Sequence, residues 1–185
     1  MHSGRRNSEF LGQSTRSNYC GVYACAMLMS LLGFSTARAV ALAAFRTGTS
    51  ISDYPGTTLQ MISEVLTEKT HVREPRWQVY RHFPTDRIRR ALAGHFARTG
   101  DPTILCFGAR LRAAGLRGRH AVVALGINSS GIRILDPLGS APSALSFGNA
   151  ILRHPLGTDF APVDGCPYDL LPARAAAVLT WSGGF

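Results

Sequence analysis

The sequence predicts an α+β domain, with helices gathered in its first half and antiparallel strands in its second. Apolar residues recur at helical spacing in several stretches between residues 19 and 99. After Gly100-Asp101-Pro102 the texture changes to short runs rich in Ile, Val and Leu, separated by glycine and polar turns. Helices followed by strands is the order expected of helices packed against an antiparallel sheet. At about 150 residues per domain, 185 residues make one domain with a core of its own.

The elements follow in order. Residues 1 to 12 are polar and basic and are expected to form a flexible segment, leaving 13 to 185 as the domain. From Tyr19 to Leu32 the chain is almost uninterruptedly apolar. Its Ala, Met and Leu content favours a buried helix, with Gly33 placed to cap its C-terminus. Ser35 and Thr36 offer an N-cap for a second helix over 36 to 45. Thr57 or Thr58 can cap a third, with Leu59, Ile62, Val65 and Leu66 on one face. Asp86 precedes a fourth, where Ile88, Leu92 and Phe96 recur at helical spacing until Gly100.

Thr103 to Phe107 then reads as a buried strand and Gly108 to Gly118 as a loop rich in Arg and Gly. His120 to Ile127 is a second strand, Asn128 to Gly131 a tight turn, and Ile132 to Leu135 the hairpin partner. The remainder is loop-rich, with Pro137, Pro142, Pro155, Pro162, Pro167 and Pro172, until a last strand over Ala176 to Trp181.

Composition excludes several classes. With 45% hydrophobic and 17% charged residues, the chain is neither disordered nor of low complexity. No apolar run approaches the roughly 20 residues of a membrane helix. Arg5 and Arg6 have no apolar stretch behind them, so no signal peptide is expected. The expected location is the bacterial cytoplasm, or outside the cell, including inside a host cell, by a route that needs no signal peptide.

The net charge of +9 is carried almost wholly by arginine, because Lys69 is the single lysine. A positive field of that size favours acidic partners. The arginines are scattered, however, and cluster only at Arg87-Ile88-Arg89-Arg90 and from Arg110 to Arg119. Aromatics do not interleave with them as a nucleic-acid platform requires. Compositional bias accounts for most of the charge. The expected partner is a protein or peptide substrate, with an acidic preference at the run from Arg110 to Arg119 and no nucleic acid.

Four cysteines, Cys20, Cys25, Cys106 and Cys166, form no CxxC pair and no metal-ligand spacing. Asp159, Asp164, Cys166 and Asp169 gather near the C-terminus without a His pair, and read as solvated turn residues. Neither a metal nor another cofactor is expected. Reduced thiols fit so few, widely separated cysteines.

Cys20 stands at the start of the apolar helix, where the macrodipole and unpaired N–H groups favour a thiolate. Gly21 would let a substrate approach the backbone. Cys25, five residues on, reads as simply buried. His120 opens its strand, whereas His71, His82, His95 and His154 read as solvent-exposed loop histidines. Asp136 ends the hairpin partner, and the turn brings it to the same open end as His120. Thiol, base and orienting carboxylate supply what one another lack. Gln13 can donate its amide to an oxyanion beside the Cys20 N–H.

Gln13, then Cys20-Gly21 with Ala24 and Met27, then His120-Ala121-Val122-Val123, then Asp136-Pro137, together resemble a papain-like cysteine peptidase. The variety most resembled is the bacteriocin-processing peptidase domain of ABC transporters and its stand-alone, effector-like relatives. The resemblance spans residues 13 to 139. It implies a papain-like fold with nucleophile Cys20, general base His120, orienting Asp136 and oxyanion donor Gln13. Asn18-Tyr19 stands where the transporter domains carry an acidic residue, and no transporter follows, so leader processing during export is not implied. Cys20-Gly21-Val22-Tyr23 also resembles the ubiquitin-like-protein proteases, but their His and Asp precede the cysteine, and only His2 does here.

The expected function is therefore a cysteine hydrolase cleaving a peptide or amide bond, first of all a peptidase, as in bacterial effectors and toxins. Glutamine deamidation or transglutaminase-type acyl transfer shares the same steps. A non-catalytic module docking an acidic partner through its basic surface is the alternative from another class.

Overall fold

The computed structural model describes residues 20–33, 57–70, 75–80, 85–111, 117–128, 131–137, 168–170 and 176–181. Within these, α1 spans Cys20–Leu31, α2 Leu59–Thr70, β1 Arg76–Tyr80, α3 Thr85–Thr99 and β2 Thr103–Leu111. Strands β3 Arg117–Asn128, β4 Gly131–Leu135, β5 Tyr168–Leu170 and β6 Ala176–Thr180 follow.

Helix ends obey local chemistry. Leu32 N–H bonds Leu28 O, and Gly33 takes a φ of 102°, a left-handed conformation that closes α1. Thr58 Oγ1 accepts the Met61 N–H, an N-cap three residues ahead of its donor, so Thr58 rather than Thr57 starts α2. Gly100, at φ 70°, donates its N–H to Phe96 O and ends α3.

The strands form one antiparallel sheet in the order β1-β6-β2-β3-β4, with β5 on β2. Residues Ile104 to Phe107, Ala121 to Ala124 and Ala176 to Leu179 are buried without alternation, because the sheet centre is covered on both faces. Side chains alternate along strands, so Phe107, His120 and Val122 share one face and Cys106, Arg119 and Ala121 the other. Helix α1 packs on β2 and β3, and α3 on β3 and β6. This is the α+β architecture expected, with the helix that begins at Cys20 packed on the antiparallel sheet.

Several expectations need correction. The segment from Gly108 to Gly118 is largely not a loop: β2 continues to Leu111 and β3 begins at Arg117, with Gly108, Ala109 and Arg110 paired to Arg119, Gly118 and Arg117. His120 consequently lies inside its strand rather than opening it. Asp86 falls in the first turn of α3, which starts at Thr85. Strands β1 and β5 were not expected; β1 carries the β-favouring Trp77, Val79 and Tyr80 on the sheet edge.

His95 is fully buried in α3 rather than exposed in a loop. It bonds the Asp101 carbonyl through Nε2 at 3.0 Å and meets Trp181 edge-on at 4.5 Å. Residues 1 to 12, Gln13, the helix over 36 to 45, and His71, His82 and His154 lie outside the described residues.

Candidate active site

Two local features bring three residues to one point. The β3–β4 hairpin closes between Asn128 and Gly131, as the turn residues there predict, and a bulge intervenes between Ala124 and Gly126. Its last pair is Val123 with Leu135, so Asp136 leaves β4 diagonally across from His120. His120 Nε2 and Asp136 Oδ1 lie 2.7 Å apart, with both side chains almost wholly buried. Phe107, the cross-strand partner of His120, meets the imidazole edge-on at 5.7 Å. Carboxylate and ring together fix the imidazole plane.

The sulfur arrives from the other side. Cys20 is the first residue of α1, so its own N–H has no acceptor within the helix. Its thiol is hydrogen-bonded to His120. With Nε2 committed to Asp136, Nδ1 is the nitrogen left for the sulfur. Backbone N–H groups of Ala121 and Gly21 also donate to the sulfur. Cys20 Sγ lies 3.7 Å from the Arg119 carbonyl, which a thiol proton can reach.

The electrostatics follow from these partners. Burial pushes the Cys20 thiol up, but the His120 hydrogen bond and charge, with the two N–H donors, outweigh it and hold the pKa below 9.0. Burial pushes His120 down, yet the charge and hydrogen bond of Asp136, then the sulfur, raise it to about 10. The two therefore titrate as a coupled thiolate–imidazolium pair. Burial alone raises Cys25 to about 12; burial first, then the Cys20 charge, raises Cys106 to about 12 against the opposing Arg119 guanidinium.

Of the residues singled out from sequence, Cys20, His120 and Asp136 meet; Gln13 lies outside the described residues. Gly21 has a different use from the one expected. A Cβ there would stand 2.7 Å from Thr57 Cβ, so the missing side chain makes room for the chain entering α2. Phe107 and the Ala121 N–H were not among the expected site residues; the Phe107–His120 pair comes from the antiparallel register of β2 and β3. Among the described residues no group of three or more His, Cys, Asp or Glu is placed to hold a metal ion, and Asp169 alone of the C-terminal group lies in a described element, β5.

No protein-family model matches the chain, and no curated protein matches its sequence. Solved structures do. A Bacillus anthracis protein described as a C39-like peptidase aligns over 96% of this chain and 97% of its own, at 13% identity and a TM-score of 0.50. UfSP from C. elegans aligns over 94% of this chain at 16% identity and a TM-score of 0.51. The matched region is 32% of that protein's length. The fold is papain-like.

Proposed function

We propose that the chain is a cysteine hydrolase of peptide or amide bonds, and a peptidase in the first instance. The observation that carries the reading is the meeting, at one point, of the Cys20 thiol, the His120 imidazole and the buried Asp136 carboxylate 2.7 Å from Nε2, an arrangement that lowers the thiol and raises the imidazole. Neither perturbation serves the packing of a core, and each complements the other chemically. The papain-like fold adds a scaffold suited to acyl transfer.

In this reading the Cys20 thiolate attacks the carbonyl carbon. The Cys20 N–H, and Gln13 from outside the described residues, hold the developing oxyanion. His120 gives its proton to the leaving nitrogen, and the C–N bond breaks to leave a thioester on Cys20. Water then attacks the thioester as His120 takes a proton from it, releasing the acid and restoring the pair. Asp136 keeps the imidazole oriented and stabilises its cation throughout.

Intact-mass spectrometry of candidate partner proteins, incubated with the wild type and with Cys20→Ala, tests this. Fragments from the wild type alone support a peptidase. A gain of about one dalton would make the chain a deamidase, and an adduct a transferase. Equal biological activity of Cys20→Ala would contradict the hydrolase reading.

A further inference from the structure

Helix α3 carries four arginines, Arg87, Arg89, Arg90 and Arg98, against one acidic residue, Asp86. It packs on β3 and β6 with Ile88, Leu92 and His95 buried, while Arg87, Arg90 and Arg98 are exposed. Steps of three and four residues keep Arg87, Arg90, Gly94 and Arg98 on one face, so the three arginines form a stripe along the helix. Arg98 Nη1 stands 3.2 Å from where a Cβ of Gly94 would be, so this guanidinium folds back over the glycine toward Arg90. The bare glycine lets a third positive charge join the pair at Arg87 and Arg90.

The stripe works against the helix that carries it. Arg87 and Arg90 lie in the first two turns, at the positive end of the macrodipole, and repel one another three residues apart. Among the described residues, none of these three arginines makes an ion pair. Asp101, two residues beyond the end of α3, does not answer Arg98: its Oδ2 is buried and has no hydrogen-bond partner. Charge that opposes its own element and meets no carboxylate there suits a surface used by a partner.

We propose that the exposed face of α3 docks an acidic segment of a protein partner through Arg87, Arg90 and Arg98. Each guanidinium is a planar fork of N–H donors matched to a carboxylate. From Arg87 to Gly94, over which the Arg98 guanidinium lies, the helix rises about 10 Å, a span that a few Asp or Glu residues of one segment can cover. Ala93 and Ala97, exposed beside the stripe, are too small to screen it. They also offer no ring on which a base could stack, which favours a polypeptide over a nucleic-acid strand. The net charge of +9 adds long-range attraction for an acidic chain. The docking face does not involve Cys20 and goes beyond the hydrolase reading.

Fluorescence anisotropy with a labelled Glu-rich peptide and the full chain tests this, in a Cys20→Ala background so that no bond is cut. Combining Arg87→Gln, Arg90→Gln and Arg98→Gln should weaken binding about tenfold at low salt. Combining Arg5→Gln, Arg6→Gln and Arg133→Gln removes the same charge elsewhere and should change binding about twofold at most. Glutamine forms helix nearly as well as arginine, so the α3 variant should keep its Tm or gain slightly as the opposed charges leave the helix start.

Equal weakening in the two variants would assign the attraction to the field of the whole chain and overturn the proposal, as would a parent protein that does not bind the peptide. A lowered Tm in the α3 variant would make the arginines structural and overturn it too. Tighter binding of a labelled RNA duplex than of the peptide, lost in the same variant, would make α3 a nucleic-acid surface instead. Each of these failures leaves the hydrolase reading standing, and an unreactive Cys20 would leave the docking face standing.

Discussion

His120 Nε2 is bonded to Asp136 Oδ1 at 2.7 Å across the open end of the β3–β4 hairpin, and both side chains are buried there. Out of water this contact is stronger than a surface pair, and it leaves Nδ1 as the nitrogen for Cys20. Asp136→Asn keeps the shape and a hydrogen bond but removes the charge that raises His120. Activity is expected to fall by about a hundredfold or more. The Cys20 pKa, read from the pH dependence of alkylation, should rise in the same variant. An Asp136→Asn protein with wild-type kcat/KM and an unshifted profile would separate Asp136 from the chemistry.

Thiol reactivity should be sharply ordered. At pH 7, Cys20 lies nearer its reactive form than Cys25 and Cys106, which burial raises to about 12. Brief iodoacetamide treatment followed by peptide mass mapping is expected to modify Cys20 well before those two. Comparable labelling of the three would mean that the His120 and N–H contacts do not activate the sulfur.

Gly21 and Thr57 form a fitted pair. Gly21→Ala places a methyl 2.7 Å from Thr57 Cβ and should cost about 1–3 kcal/mol of stability, seen as a lower Tm. Adding Thr57→Gly removes the obstructing atoms and should recover part of that loss, with a non-additive sum in the double variant. Strict additivity would mean that the two sites do not touch.

Buried His95 should give the fold an acid-sensitive component. Burial lowers its pKa first of all, and Arg98 adds repulsion; the Asp101 carbonyl and charge act the other way without prevailing. Its folded pKa is thus below 6.5, and unfolding takes up a proton in that window. The stabilising contribution is present above about pH 6.5 and declines as pH falls through the folded value. The His120 pair has the opposite sign: its contribution is full below about 6.5 and lost as pH rises through about 10. Urea midpoints at several pH values for the wild type and His95→Gln check the first half. The acid loss should shrink in the variant, and equal slopes would exclude His95 as its source.

Much of this site was legible in the sequence because its parts sit at punctuated positions. Gly33 and Gly100 end helices by adopting positive φ, and the polar turn between Asn128 and Gly131 set the hairpin that brings Asp136 to His120. What escaped has physical causes. Arginines and glycines from Gly108 to Gly118 resemble a loop, yet six of those positions lie in strands, because pairing of β2 with β5 as well as β3 fixes the backbone regardless of propensity. The polar type of His95 suggests exposure, yet the side chain is buried. Its burial depends on Trp181 and on the Asp101 carbonyl, the first of them 86 residues away, which no local pattern reveals. The sequence around Gly21 suggests substrate approach because nothing local indicates that Thr57 packs against it.

The central claim is that His120 makes Cys20 a thiolate. The most direct measurement is the pH dependence of the Cys20 alkylation rate in the wild type and in His120→Ala. The account predicts a wild-type midpoint below 9.0 that moves upward when the imidazole is removed. Coincident profiles with midpoints at or above 9.0 would contradict it.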